Sequence, residues 1–358
     1  MDMSSPKILY LTRPYSQHQT ASYQSEFIKH IQKYSKAEIF TVPIDYSETR
    51  GESRNSTFRN AIASRAANVD LVMTGHHWLS DAPTGNIIPK GLEFLKDIPK
   101  PKVAVINKEY ARLAEKIEYF EKNQFDLLIS HHSDLSACLT SNGLEINIRA
   151  YQCLFGIDSD VWNVKPLPHG CDRDYDLFFS GILFNSDWFC PDQALRIEIE
   201  NRLFHTFGRI RLKAKRKGVF WNAYSSNKLV NKINRAVRIP HLKYQSLLAR
   251  SRSTLCTPSM GLITPRFFEA LVCGSVPLIN NSKIFSILES SSINWIKFNE
   301  DLSNFEAALE QAISLSEEPN TVDRNHQLAL DLHTWDVRIK KLMEYIETCE
   351  TLSRPKLQ

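Results

Sequence analysis

The sequence has no apolar run near the roughly 20 residues that would span a bilayer. Its first residues, Met1-Asp2-Met3-Ser4-Ser5-Pro6-Lys7, lack the basic-then-apolar layout of a signal peptide. Both absences point to a cytoplasmic protein. No cysteine pair has C-x-x-C spacing. The seven cysteines, Cys138, Cys153, Cys171, Cys190, Cys256, Cys273 and Cys349, are odd in number and scattered, which argues against a disulfide framework or a zinc site and for reduced thiols. Charge of one sign is in little excess: a net +4 over 358 residues does not mark a nucleic-acid binder. No repeat or low-complexity tract is present. A G-x-G-x-x-G run after a first strand is also missing, since Thr12 leads into Arg13-Pro14-Tyr15, and this counts against a dinucleotide-dependent dehydrogenase.

What is there is globular: 42% hydrophobic and 23% charged residues, in a chain long enough for two α/β domains. The run Lys7–Thr12, bounded by Pro6 and Pro14, reads as a buried first strand. A helix over Tyr23–Tyr34 and a strand over Ala37–Pro43 complete a β-α-β unit. The pattern continues with a helix at Phe58–Ala67, strands at Asp70–Gly75 and Lys102–Asn107, a helix at Glu109–Asn123 and a strand at Asp126–Ser130. Such alternation predicts a doubly wound parallel sheet, whose ligands collect beyond the carboxyl ends of its strands. After a Pro- and Gly-containing connector a second series opens at Asp176–Ser180. It runs through strands at Arg209–Ala214, Ser253–Pro258, Val276–Asn280 and Asn294–Phe298, with helices at Gln193–Phe204, His241–Ser251, Pro265–Cys273, Leu302–Leu315 and Trp335–Cys349.

The stretch Ser253–Asn281 carries the most chemistry. Thr264 suits an N-cap, Pro265 the first helical position and Gly274 the C′ position, so a short helix is punctuated at both ends. Arg266 falls in its first turn, where free backbone N–H groups attract anions and a guanidinium adds a bidentate charge for phosphate. Glu269 lies one turn on, placed to accept ribose hydroxyls; a surface ion pair between Arg266 and Glu269 is the plainer alternative. Gly181, after the first strand of the second series, would permit a tight turn near a pyrophosphate. Lys213 and Lys215, alternating within the basic run Arg209–Lys217, could face phosphates or simply form a solvated face. The segment 228–238 combines Leu229, Val230, Ile233 and Val237 with Lys228, Lys232, Arg235 and Arg238, a pattern for an amphipathic helix that docks on its own core or on an anionic membrane surface.

The run R-F-F-E-A-L-V-C-G-S-V-P-L-I from Arg266 resembles the donor-site signature of GT-B glycosyltransferases, above all the spore-maturation-type group-1 enzymes, with a weaker likeness to exostosin-type domains. F-G-I-D at Phe155–Asp158 with Trp162, D-L-F-F-S-G at Asp176–Gly181 and H-T-W-D-V-R at His333–Arg338 extend the likeness across about residues 155 to 350. The resemblance implies two Rossmann-like domains facing across a cleft, α/β throughout. They comprise an acceptor-side domain at 1–155, a nucleotide-sugar donor domain at 156–334 and a C-terminal helix at 335–358 returning to the first domain. It implies that Glu269 binds the donor ribose and Arg266 a phosphate. Where many retaining relatives carry a further glutamate, this chain has Gly261, whose backbone could approach the sugar or a phosphate.

The resemblance further implies a hexosyltransferase-like, metal-independent enzyme without a cofactor, using a nucleoside diphosphate sugar as co-substrate and a glycan or lipid-linked acceptor, in surface polysaccharide or glycoconjugate assembly. Asp172-Arg173-Asp174 has D-x-D spacing but falls in the connector, so no metal ligands are expected. Nucleic acid is not an expected partner; peripheral contact with the inner face of a membrane is left open by the segment 228–238, beside docking on the chain's own core. A base for the acceptor hydroxyl is sought after the N-terminal strands, at His76, His77, Glu109, His131, His132 and Asp134, with His131 favoured because Asp134 could orient its ring. A sugar-nucleotide epimerase of the same fold and a catalytically inactive nucleotide- or glycan-binding scaffold stay open as alternatives.

Overall fold

The computed structural model describes residues 5–12, 22–42, 51–81, 85–88, 94–162, 164–167, 172–182, 194–203, 218–224, 241–349 and 352. The chain divides into two compact units: Met1–Leu154 with Trp335–Gln358, and Phe155–Thr334.

Unit 1 is built on a six-stranded parallel sheet of order β2-β1-β3-β4-β5-β6. Its strands are β1 Lys7–Thr12, β2 Lys36–Thr41, β3 Leu71–Thr74, β4 Lys102–Val105, β5 Leu127–Ser130 and β6 Arg149–Gln152. The inner strands are buried along nearly their whole length because helices cover both faces. Those helices are α1 Ser22–Tyr34, α2 Gly51–Ala66, α3 Leu113–Lys122 and α4 Leu135–Ser141. The core gathers Leu9, Leu11, Val72, Trp78, Ala104, Phe120 and Leu128. The helix α9 Trp335–Thr348 packs on α1, with the Trp335 ring 5.5 Å from that of Phe27.

The helix read from Glu109 begins only at Leu113. Lys108 and Arg112 adopt left-handed backbone conformations, φ 48° and 53°, which a helix cannot accommodate. Buried Lys116 holds this loop by donating to the carbonyls of Asn107 and Lys108 and pairing with Asp81 at 2.6 Å. The exposed edge strand β6 and α4 lack the apolar signal that marks their neighbours, and the pattern did not reveal them.

Unit 2 holds a five-stranded parallel sheet of order β11-β10-β9-β7-β8: β7 Tyr175–Ile182, β8 Val219–Tyr224, β9 Ser251–Leu255, β10 Val276–Asn280 and β11 Ile296–Phe298. Segment 194–203 is helical. Helices α5 His241–Ala249, α6 Pro265–Val272, α7 Phe305–Ser316 and α8 Pro319–Leu332 follow. The core packs Leu177, Phe179, Leu255, Leu278, Phe298 and Phe305. The expected strand at Arg209–Ala214 lies outside the described residues. In both sheets the strand order reverses beside the first strand, between β1 and β3 and between β7 and β9. The crevice at such a switch is where ligands of open α/β sheets bind.

Candidate active site

The unit 2 switch is lined by the end of β7 and by the start of α6. Pro265 occupies the first turn of α6, and Gly274, at φ 75°, ends it. Gly274 N donates to Leu271 O and Ser275 N to Ala270 O, the bond pair of a Schellman cap. Thr264 takes the N-cap backbone conformation, but its side chain makes no capping bond. Its Oγ1 is buried and has no partner.

Arg266 leaves the same turn and lies over the Phe179 ring, 5.1 Å from its centroid, donating through Nη2 to Ser180 O. Its Nε is buried and has no partner. Gly181 sits within β7, not in a turn, and its missing Cβ makes room for this guanidinium: a Cβ there would stand 2.8 Å from Arg266 Nη2. The glycine therefore serves the arginine.

Glu269 does not pair with Arg266. Its Oε2 accepts from Tyr244 Oη at 2.9 Å. Burial pushes the Glu269 carboxyl up to about 7, against the Tyr244 hydrogen bond and the Arg266 charge. Tyr244, on α5, escaped the sequence reading: nothing local ties it to a residue on another helix.

Gly261, at φ 85°, and Met260, at φ 50°, are the two central residues of a tight hairpin turn closed by mutual Ser259–Leu262 backbone bonds of 2.9 Å. The Leu262 N–H is thereby used within the turn. Lys213, Lys215 and the segment 228–238 lie outside the described residues.

At the carboxyl ends of the unit 1 strands, His76 follows β3 and His131 follows β5; both are buried, 2% and 1% exposed. Their rings are nearly parallel, with planes 10° apart and Nε2 atoms separated by 2.7 Å. His131 Nδ1 lies 2.5 Å from Cys153 O. A carbonyl can only accept, so His131 carries its proton on Nδ1 and its Nε2 accepts from Nε2–H of His76. His76 Nδ1 is left with a lone pair, buried and without a partner. Burial holds both imidazoles below the usual histidine range. Phe27 and Trp335 flank the pair.

Asp134 does not orient His131, as the sequence suggested; its carboxylate accepts from Ala137 N at 2.9 Å and caps α4. Glu109 is fully buried, its Oε1 accepting from Ser130 Oγ and from the N–H groups of His131 and His132 at 2.7, 2.9 and 3.2 Å. It braces the turn that presents His131. Among the described residues no group of three or more His, Cys, Asp or Glu side chains could hold a metal ion. No described helix is long and apolar enough to cross a membrane.

No family model matches the sequence, and no curated protein matches it. Solved structures match its fold. The catalytic domain of starch synthase IV from Arabidopsis thaliana, bound to ADP and acarbose, superposes with a TM-score of 0.61 at 11% identity over 98% of this chain and 100% of that one. A glycosyltransferase from Rickettsia africae gives 0.57 at 10% identity over 97% and 99%. Anabaena HepE in complex with UDP-glucose gives 0.55 at 13% identity over 96% and 99%. Two Rossmann-like units, with a C-terminal helix returning to the first, make this a GT-B-like fold.

Proposed function

We propose that the protein is a glycosyltransferase that moves a sugar from a nucleoside diphosphate sugar to a hydroxyl of a glycan or lipid-linked acceptor. The observation that carries this reading is the start of α6. Thr264 Oγ1 and Arg266 Nε are buried there without partners, one turn from the Glu269 carboxylate. Buried polar groups are almost always satisfied, and a diphosphate at the helix N-terminus would supply both missing partners. Glu269 would then accept the ribose hydroxyls. Two proteins of the same fold, starch synthase IV and HepE, hold ADP and UDP-glucose respectively, which supports a nucleotide as ligand. The finer likeness to spore-maturation-type enzymes, and a role in surface glycan assembly in the cytoplasm, belong to the same proposal.

In the transfer step, the acceptor oxygen bonds to the anomeric carbon as the bond from that carbon to the diphosphate breaks. The diphosphate leaves with the electron pair, its charge met by Arg266 and the α6 terminus in place of a metal. The acceptor proton needs a base. The reading gives that role to His76 Nδ1, with His131 holding the ring and Glu109 bracing His131.

The test is binding of UDP, ADP and GDP, with their sugar conjugates, to wild type and Glu269→Ala by thermal shift and calorimetry. One nucleotide is expected to stabilise wild type and to bind the variant at least about tenfold more weakly. Equal binding by both proteins, or none by either, overturns the assignment. Consumption of the bound sugar nucleotide without any acceptor would favour the epimerase reading.

A further inference from the structure

Glu269 is a long, flexible side chain, and a carboxylate that binds a ribose must be held before the ligand arrives. The obvious partner makes no direct ion pair with it: Arg266, in the same helix, donates to Ser180 O, lies over the Phe179 ring and stands beside the Tyr244 hydroxyl. The hydrogen bond to Glu269 comes from a different element, through Tyr244 of α5. Its ring stands edge-on to Trp162 and Phe178, with centroids 6.1 and 5.6 Å away, so the hydroxyl is fixed by packing and not by the ligand.

The chemistry of the donor matters. A bidentate arginine would occupy both carboxylate oxygens and neutralise the charge. A phenol donates one hydrogen bond to Oε2 and leaves Oε1 with both lone pairs and the carboxylate negative. That is the valence a vicinal diol needs, with its two O–H donors. We infer that Tyr244 is a positioning residue, whose hydroxyl aims the Glu269 carboxylate so that the site takes both ribose hydroxyls and selects ribonucleotides over 2′-deoxyribonucleotides. The inference rests on the proposed nucleotide role of Glu269. A ligand lacking one hydroxyl leaves an oriented, partly buried carboxylate short of a donor, and such sites discriminate strongly.

The groups facing Glu269 are Tyr244 from α5, Cys256 after β9, and Arg266 and Cys273 on or at the end of α6. From α8, His326 binds Val272 O, and His333 at its C-cap lies on Phe268. The ionised carboxylate is the stronger acceptor for both hydroxyls, so ribonucleotide affinity is expected to fall as pH drops through about 7. Removing the Tyr244 hydroxyl removes a bond that favours ionisation and moves that midpoint upward.

The experiment compares wild type, Tyr244→Phe and Glu269→Gln by calorimetry, with UDP, ADP and GDP each set against its 2′-deoxy counterpart across pH 6 to 9. Wild type is expected to prefer the ribonucleotide by about tenfold or more. Tyr244→Phe, which keeps the ring packing, should lose most of that preference and show the raised midpoint. An unchanged ratio and midpoint in Tyr244→Phe, with Glu269→Gln weakened, overturns the role of Tyr244 alone. Glu269→Gln binding like wild type overturns the site reading beneath it, and absence of nucleotide binding overturns both. If Tyr244→Phe is not recovered folded, Tyr244→Met, which fills the volume without a hydroxyl, reads the same ratio.

Discussion

Arg266 and Gly181 act as one device. The guanidinium is planar and must lie flat to meet both the Phe179 face and Ser180 O, and only a residue without Cβ at 181 leaves that plane open. Gly181→Ala is expected to displace Arg266 from its seat and lower the affinity for nucleoside diphosphates about tenfold, at little cost in stability because the displaced atom is the far end of a flexible side chain. Calorimetry measures the affinity, and an alanine variant that binds like wild type would refute the arrangement. The sequence made Arg266 and Glu269 visible because Pro265 and Gly274 mark the helix that carries them. It gave Gly181 the wrong reason, since a close approach by a side chain from another element leaves no local trace. Which of His131 and His76 has a free ring nitrogen is equally hidden from the sequence, because it depends on the Cys153 carbonyl, contributed by the stretch after β6.

Between elements, the docking of α9 on α1 is the clearest case. Asp336, in the first turn of α9, receives Lys33 Nζ at 2.6 Å and Tyr34 Oη at 2.7 Å, with His30 Nδ1 at 3.1 Å, all from the last turns of α1. Trp335 donates to Glu26 at 3.1 Å alongside. Burial works against the charge of Asp336, but the hydrogen bonds from Lys33 and Tyr34 outweigh it and hold the carboxyl down at about 2. This folded value lies below the ordinary unfolded value of about 3.9. The associated stability is therefore complete above pH 4 and fades as pH falls toward 2. Asp336→Asn is expected to lose about 1.5–3 kcal/mol at pH 7, and the gap to wild type should shrink on acidification to pH 3. Urea midpoints at the two pH values decide it; a gap independent of pH would sink the argument. The apolar spacing of α9 was legible. The polar clamp that orients it was not, because its members stand more than 300 residues apart.

Unit 1 is discontinuous, since it takes its last helix from beyond the whole of unit 2. Trp335, Ile339 and Leu342 are fully buried there, each worth about 1.5–3 kcal/mol of burial. A chain ending after Thr334 should therefore lose stability selectively. Amide exchange is expected to accelerate through β1, β3, β4 and β5, while β7, β9 and β10 keep their protection. Equal acceleration in both sheets would show that the two units do not behave as separate stability units.

By itself the sequence determined the class of the fold and the ends of its key helix. Buried parallel strands read as apolar runs, helices as 3.6-residue periods, and Pro265 and Gly274 act within a turn of themselves, so each signal is local. Only the tertiary structure decided the partners: Tyr244 for Glu269 across 25 residues, His76 for His131 across 55, and the space at Gly181 of β7 for Arg266. Hydrogen-bond acceptors and ring neighbours are set by which elements pack together, and that choice is written nowhere in the spacing of any one of them.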